Sequence, residues 1–286
     1  MRVRFWGTRG NVPTPSSHTV ELGGNTTCVE VDLGGDQSIL LDAGTGVIEY
    51  ATMLMNRDPR RSSHTTRIDY DFIITHFHWD HILGFPFFHP IHLAGAKVRL
   101  HSPFETKDLE AQVRALFDGT YSPLRDLDNV AAKITFHKIP EAGATIAGAR
   151  VTACRTDHPE HCYGLRIEHT GQVLVYVPDH EARPGQLNDR VLALAKDSHT
   201  LIHDAQYTAE EYEHYEGWGH SSIEAAIANA EKCHAEQVLL THHDPSHSDD
   251  FLRTYLERHR RHSKAGISPL VLLAREGEWM EVKIRD

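Results

Sequence analysis

The stretch that most constrains this chain is Thr75-His76-Phe77-His78-Trp79-Asp80-His81, which follows directly on the apolar run Tyr70-Asp71-Phe72-Ile73-Ile74. Three imidazoles and a carboxylate within six positions crowd and desolvate one another unless they share a cation, so a metal site is the most economical reading. One isolated histidine would imply nothing of the kind, and the chain carries 23 of them. If strand alternation continues past residue 74, His76 and His78 face the same way. Asp80 and His81 then turn off as a helix begins, which predicts two adjacent metal sites. A pair of ions needs more ligands than this turn supplies, and each should stand at a strand end on the same edge.

Three other segments meet that condition. Thr156-Asp157-His158-Pro159, Pro178-Asp179-His180 and Thr241-His242-His243-Asp244 each close a short apolar run. Spacing alone leaves neighbours in competition: Asp157 or His161 with His158, His180 with Asp179, and His243 or His247 with His242. His18, His64, His137 and His169 read as surface or structural residues.

The rest of the chain alternates strand and helix patterns. Strands are expected at residues 2–7, 28–33, 37–41, 97–101, 134–136, 150–154, 162–168, 173–177, 200–203, 238–240, 270–273 and 279–284. The second and third of these form a hairpin across Gly34-Gly35. Helices are expected at 47–55, at 105–117 with Leu109, Val113, Leu116 and Phe117 inward, and at 191–196. Another follows Ser221-Ser222-Ile223-Glu224, which has the form of a capping box. The last begins at Ser248-Asp249-Asp250, turns Phe251, Leu252, Tyr255 and Leu256 inward, and stops at Gly266. Gly7 to Pro15 is too rich in glycine and proline for either element and reads as a loop, a candidate lip of the site. The aromatic stretch from Gly84 to Pro90 reads mainly as core, with one or two rings walling a pocket; residues 118–123 read as a loop. No composition break separates the first half from a second half beginning at Lys133. A single α/β domain over residues 1–286 is therefore expected, with two mixed sheets face to face and helices outside.

A formal charge of −11 disfavours a long polyanion, since phosphate-backbone binding relies on clustered Lys and Arg. Small substrates fit better. Cys28, Cys154, Cys162 and Cys233 have apolar neighbours and no CxxC spacing, which predicts buried free thiols and a reducing compartment. The first residues lack an apolar leader and no run of about 18 apolar residues occurs. A cytoplasmic protein with no membrane partner is the expectation.

His76-x-His78-x-Asp80-His81 after a buried strand resembles the signature of the metallo-β-lactamase superfamily, which implies a four-layer αββα sandwich with one or two metals along one edge. Gly7-Thr8-x-Gly10-x-x-Pro13-Thr14, His203-Asp204-Ala205-Gln206-Tyr207 and Gly217-Trp218-Gly219-His220-Ser221-Ser222 are similar to motifs of its tRNase Z-like phosphodiesterase branch. The resemblance implies that His76, His78 and His158 hold one metal, that Asp80, His81 and His242 hold the other, and that Asp179 bridges them. It implies that Asp42 orients the metal-binding turn from behind, and that His220, Asp204 and Asp80 are the catalytic residues. Two divalent ions are expected, zinc first, with manganese or iron also compatible. Flavodiiron relatives carry glutamate where this chain has His78, and neutral histidine favours hydrolysis over redox chemistry. The implied reaction is phosphodiester hydrolysis by a hydroxide held between the metals, with His220 protonating the leaving oxygen and Asp204 orienting it. tRNA-processing members carry a long arm between the positions of His158 and Asp179. Here only a strand, a turn at Gly171 and a strand fit, so a cyclic nucleotide or short oligonucleotide is the expected substrate. A homodimer is implied by resemblance alone. The competing readings are a carbonyl-directed hydrolase (lactonase, thioesterase or β-lactamase) and a metal-holding sensor without turnover.

Overall fold

The computed structural model describes residues 1–57, 69–120, 122, 124–183, 188–262 and 269–282. His64, Tyr121, Pro123, Gly266 and Ile284, on which some expectations above rest, lie outside them.

The alternating segments form the first sheet. β1 (Arg2–Gly7), β2 (Cys28–Gly34) and β3 (Gln37–Leu41) run antiparallel; β4 (Asp69–Ile73), β5 (Lys97–Ser102) and β6 (Lys133–Lys138) continue from β3 in parallel. The β2–β3 hairpin turns at Gly35 and Asp36, with φ of 60° and 62°, the backbone that a tight turn matched to strand twist requires. β7 (Ala144–Ile146), β8 (Ala149–Arg155) and β9 (Tyr163–His169) lead antiparallel into β10 (Gln172–Val177). β11 (Thr200–Asp204), β12 (Gln237–Thr241) and β13 (Leu270–Leu273) then extend that sheet in parallel. The chain returns through β14 (Trp279–Glu281) to the free edge of β1, completing two seven-stranded sheets.

The inner faces meet. Val3, Phe5, Val31 and Ile39 from one sheet share a buried cluster with Val151, Leu165, Leu174 and Leu239 from the other. Outside the first sheet lies α1 (Gly46–Arg57), whose Tyr50 and Leu54 cover Phe72 and Leu100. The single turn of α2 (Trp79–Ile82) follows, and then α3 (Thr106–Ala115), buried through Leu109 and Val113. α4 (Asp189–Ala195), α5 (Ala209–Tyr215), α6 (Ile223–Lys232) and α7 (Asp249–His262) follow in the second half, and Leu194, Ile227 and Leu252 cover the outer face of the second sheet. The layers are helix, sheet, sheet, helix, the αββα sandwich that the sequence implied.

Four local expectations need correction. The segment from Lys133 is not the start of the second sheet: α3 crosses over and returns β6 parallel to β5, so the second sheet starts at β7. α5 was not expected, although Thr208-x-x-Glu211 announces it, and both reciprocal capping bonds are made. The cap of α6 is Ser222, which accepts from the Ala225 amide, whereas the Ser221 hydroxyl leaves the helix and donates to the His180 carbonyl. Phe251 is 38% exposed, because the buried stripe of α7 runs through Leu252 and Leu256. All four cysteines are free thiols, as expected, but only Cys28, Cys162 and Cys233 are buried, and Cys154 is half-exposed. No helix among the described residues is long and apolar enough to cross a membrane.

Candidate metal centre

Parallel strands deliver their carboxyl ends to one edge, and chemistry-bearing residues gather there. β4 ends at Ile73, and His78, with extended backbone (φ −63°, ψ 150°), immediately precedes α2 at Trp79. That switch separates the motif into two sets. His76 and His78 meet His158, beyond β8, and Asp179, beyond β10; Asp80 and His81 meet His242, beyond β12. Within each set the nearest ligand atoms lie within 4.8 Å of one another.

Asp179 stands between the sets. Its Oδ2 lies 3.3 Å from His76 Nε2 and 3.6 Å from His158 Nε2, and its Oδ1 lies 3.1 Å from His81 Nε2 and 3.5 Å from His242 Nε2. Asp80 Oδ2 lies 3.0 Å from His242 Nε2. Nitrogen and oxygen ligands about 2.0–2.2 Å from a tetrahedral ion stand roughly 3.3 Å apart, so these separations are those of groups sharing a cation. His76 Nε2, His158 Nε2 and Asp179 Oδ1 are buried without a hydrogen-bond partner among the described residues, a cost that a metal ion removes. The donor set, imidazole nitrogens and carboxylate oxygens, fits divalent metal.

The competing neighbours point elsewhere. The His180 ring accepts from the Asp157 amide, Asp157 is exposed, and His161 lies in a side cleft. His242 adopts φ 61°, which turns its ring toward Asp80 and sends His243 into the opposite interior; His247 pairs with Glu211. Among the histidines read as peripheral, His18 and His137 are exposed and His169 is partly so.

Behind the ligands a second layer fixes their orientation. Asp42 accepts from the Thr75 amide and hydroxyl, from the Tyr176 hydroxyl and from His81 Nδ1 at 2.8 Å, which leaves His81 Nε2 facing the cluster. Such partners raise ligand basicity and lock the ring. The variant Asp42→Asn is expected to lower metal affinity about 10- to 100-fold. Competition with a chromogenic chelator measures it, and wild-type affinity would count against the orienting role. Thr75, Tyr176 and Gln206, which lies 3.2 Å from His242 Nδ1, were not singled out from sequence because isolated polar residues carry no spacing signal.

The Gly7–Pro15 loop lies against the site. Gly10 packs on the His242 ring, where an added Cβ would come within 2.4 Å, and the Asn11 amide donates to Asp80 Oδ2. Fully buried Arg9 ties the loop down through the Gly23 and His247 carbonyls and the Asp249 carboxylate. The aromatic stretch does not wall the pocket. Phe85 and Phe88 pack with Phe72 in the core, Phe87 is exposed, and the rings beside the site are Phe77 and Phe104.

His220 precedes α6. Its Nδ1 lies 3.1 Å from Asp204 Oδ2, its ring stacks 4.8 Å from that of His242, and one of its nitrogens lies within 4.8 Å of Asp179 and His242 ligand atoms. Asp204 also accepts from the Ser221, His180 and Gln206 amides, so it is rigidly held. Gly219, at φ 90°, packs so closely on Pro159 and His158 that a Cβ would come within 2.4 Å.

A family model for the β-lactamase superfamily domain matches residues 37–243, more than half of the chain. The chain belongs to the β-lactamase superfamily. Similar members include "Ribonuclease Z" of Haloarcula marismortui, 24% identical over 85% of this chain and 86% of its own. The metallo-beta-lactamase fold protein YhfI of Bacillus subtilis superposes with a TM-score of 0.70 at 20% identity, covering 98% of this chain and 99% of its own. A diphosphatase of the PhnP family gives 0.66 at 19% identity, with 98% and 97% covered. In this superfamily member the interval from His158 to Asp179 is a plain hairpin, β9 and β10 joined at Thr170-Gly171.

Electrostatics tie the site to metal loading. Burial alone would lower His242, but the charge of Asp179 and the hydrogen bond to Asp80 outweigh it and raise it to about 9. Burial likewise opposes ionised Asp179, yet the charges of His242, His81 and His76 hold it well below the usual carboxylate range. Burial pushes His158 down to about 3. The metal-free protein at pH 7.5 thus holds a proton on His242 that a metal must expel, because only the neutral ring ligates. Metal binding at pH 7.5 is expected to release at least one proton, and affinity to rise with pH until about 9. Calorimetry in buffers of different ionisation heat reads this, and a buffer-independent heat would contradict it.

Proposed function

We infer that this superfamily member is a metal-dependent hydrolase that holds two divalent ions, zinc first among them, and cleaves small phosphodiesters such as cyclic nucleotides or short oligonucleotides. The observation that carries the reading is the placement of His220. Its Nδ1 is engaged by a buried carboxylate, while its ring borders the same space as both ligand sets. His76, His78, His158 and Asp179 would hold one ion, and Asp179, Asp80, His81 and His242 the other. Bound there, such ions lower the pKa of water and neutralise charge on phosphoryl oxygens.

The remaining steps belong to side chains. Asp42 and Gln206 keep two ligand rings in one tautomer and orientation. Asp204 accepts a hydrogen bond from the Nδ1–H of His220, so that the protonated ring gives its Nε2 proton to the departing alkoxide and is left neutral. Asp80 joins the ligand set and is fixed by the Asn11 amide. A net charge of −11 and a hairpin where an RNA-gripping arm would stand favour small substrates over long RNA. The relatives, a ribonuclease and a diphosphatase, have in common a phosphoryl centre as the point of attack.

The test compares metal-replete protein on methyl 4-nitrophenyl phosphate and 2′,3′-cyclic AMP with an aryl ester and a cephalosporin. Turnover of the diesters is expected. Activity confined to carbonyl substrates would transfer the site to that chemistry, and binding without turnover of any substrate would leave a sensor.

A further inference from the structure

Beside the histidines opens a cleft of 940 Å³, bounded by His76 and His78, the loop after β5, the end of β6 and the start of β9. The ligand geometry does not account for it. Its floor is a group of rings centred on Phe104: Phe77 at 4.9 Å, Tyr163 edge-on at 5.2 Å and His161 at 6.4 Å between centroids. None of the four is fully buried, in contrast to Phe85 and Phe88. A partly open aromatic hub in a concave wall leaves apolar surface wet until a flat apolar group covers it.

Charge narrows what that group belongs to. The lining carries Lys138, Arg155 and Arg190 against four carboxylates, Glu105, Asp108, Glu141 and Glu160. Lys138 is paired with Glu105, and Arg190 lies 3.8 Å from Asp157. Only Arg155 has no ion pair among the described residues. Such a lining does not favour a second phosphate. It offers carboxylate acceptors, the Tyr163 hydroxyl and the Gln112 amide, groups suited to sugar hydroxyls and the polar edge of a heterocycle.

We propose that this cleft is a nucleoside subsite, with a base stacked on Phe104 and its ribose directed toward the carboxylate rim. The subsite rests on the phosphodiesterase reading and specifies its substrate class: esters of a nucleoside monophosphate whose one phosphate lies at the histidine cluster. A chain of phosphates is excluded from the cleft.

Calorimetric titration of the metal-loaded full chain with AMP, ADP and inorganic phosphate tests this without turnover. Base-on-ring stacking implies that AMP binds about 5- to 150-fold tighter than phosphate. ADP is expected to bind no tighter than AMP. The variant Phe104→Leu, which keeps apolar volume, is expected to lose most of the AMP advantage while phosphate affinity and metal content stay the same; Phe104→Trp is expected to retain it. Equal binding of AMP and phosphate by the wild type, or an unchanged advantage in Phe104→Leu, overturns the subsite, and the wild-type comparison decides even if a variant misfolds. The two readings separate cleanly. Diester hydrolysis without an AMP advantage keeps the function and removes the subsite, and an AMP advantage lost in Phe104→Leu without diester hydrolysis does the reverse.

Discussion

Replacing His220 by alanine is expected to reduce phosphodiester turnover about 10²- to 10⁴-fold, the usual contribution of a positioned general acid. Metal content should remain that of the wild type. The second readout matters because one nitrogen of His220 lies within 4.8 Å of ligand atoms of Asp179 and His242, close enough for a metal ligand as well. The hydrogen bond from Nδ1 to Asp204 fixes which nitrogen faces the reacting group, as a buried carboxylate does for a catalytic imidazole. A variant that loses metal together with activity would make His220 a ligand. One that keeps both would remove it from the mechanism. A substrate with an activated leaving group such as 4-nitrophenolate needs little protonation, so the defect should be smaller there than on an alkyl diester.

Asp179→Asn is expected to have the widest effect on the site. One carboxylate approaches four imidazoles, at 3.1, 3.3, 3.5 and 3.6 Å, and stands between the two sets. Asparagine keeps the shape but loses the charge and one of the two equivalent oxygens. Metal content measured by elemental analysis should fall well below that of the wild type. Turnover should drop about 10³-fold or more, since charge stabilisation by the ions is worth several kcal/mol. Wild-type metal content in this variant would mean that Asp179 balances histidine charge without bridging. The raised His242 and the depressed Asp179 are consistent with that role in metal-free protein, so elemental analysis separates the two.

The two expectations probe different layers. Asp179 belongs to the set that would hold the ions, and Asp42 and Asp204 act on the rings around it. Asp42 fixes His81 at Nδ1 and Asp204 fixes His220 at Nδ1, so each directs an Nε2 toward the same space. Both carboxylates are fully buried, which strengthens their hold and makes their replacement felt at the ligand they orient.

Sequence reasoning picked out most residues of this cluster because its groups follow strand ends. A period-two apolar run that stops at a histidine or an aspartate marks both the element and the edge, which is why β4, β8, β10 and β12 could be read together with His76, His158, Asp179 and His242. It was weaker at three kinds of position. Parallel crossovers hide sheet membership, so β6 was given to the wrong half, although its residues were recognised as a strand. Short caps shift by one residue when two serines adjoin, as at Ser221 and Ser222. Aromatic residues read alike in a core and in a cleft, so a pocket wall was sought in the stretch from Gly84 to Pro90, whereas the rings lining the cleft include Phe77 and Phe104.

What the sequence determined by itself was therefore the metal-binding turn, the alternation behind the two sheets and the residue types able to share a cation, all consequences of local spacing. The tertiary structure decided which of two adjoining histidines faces the cluster, through the positive φ at His242. It also placed Asp42 behind His81 and Asp204 behind His220, and it gathered Phe77, Phe104 and Tyr163 into one wall. Those facts depend on how strands distant along the chain are set side by side, and neighbours in the primary order carry no record of that register.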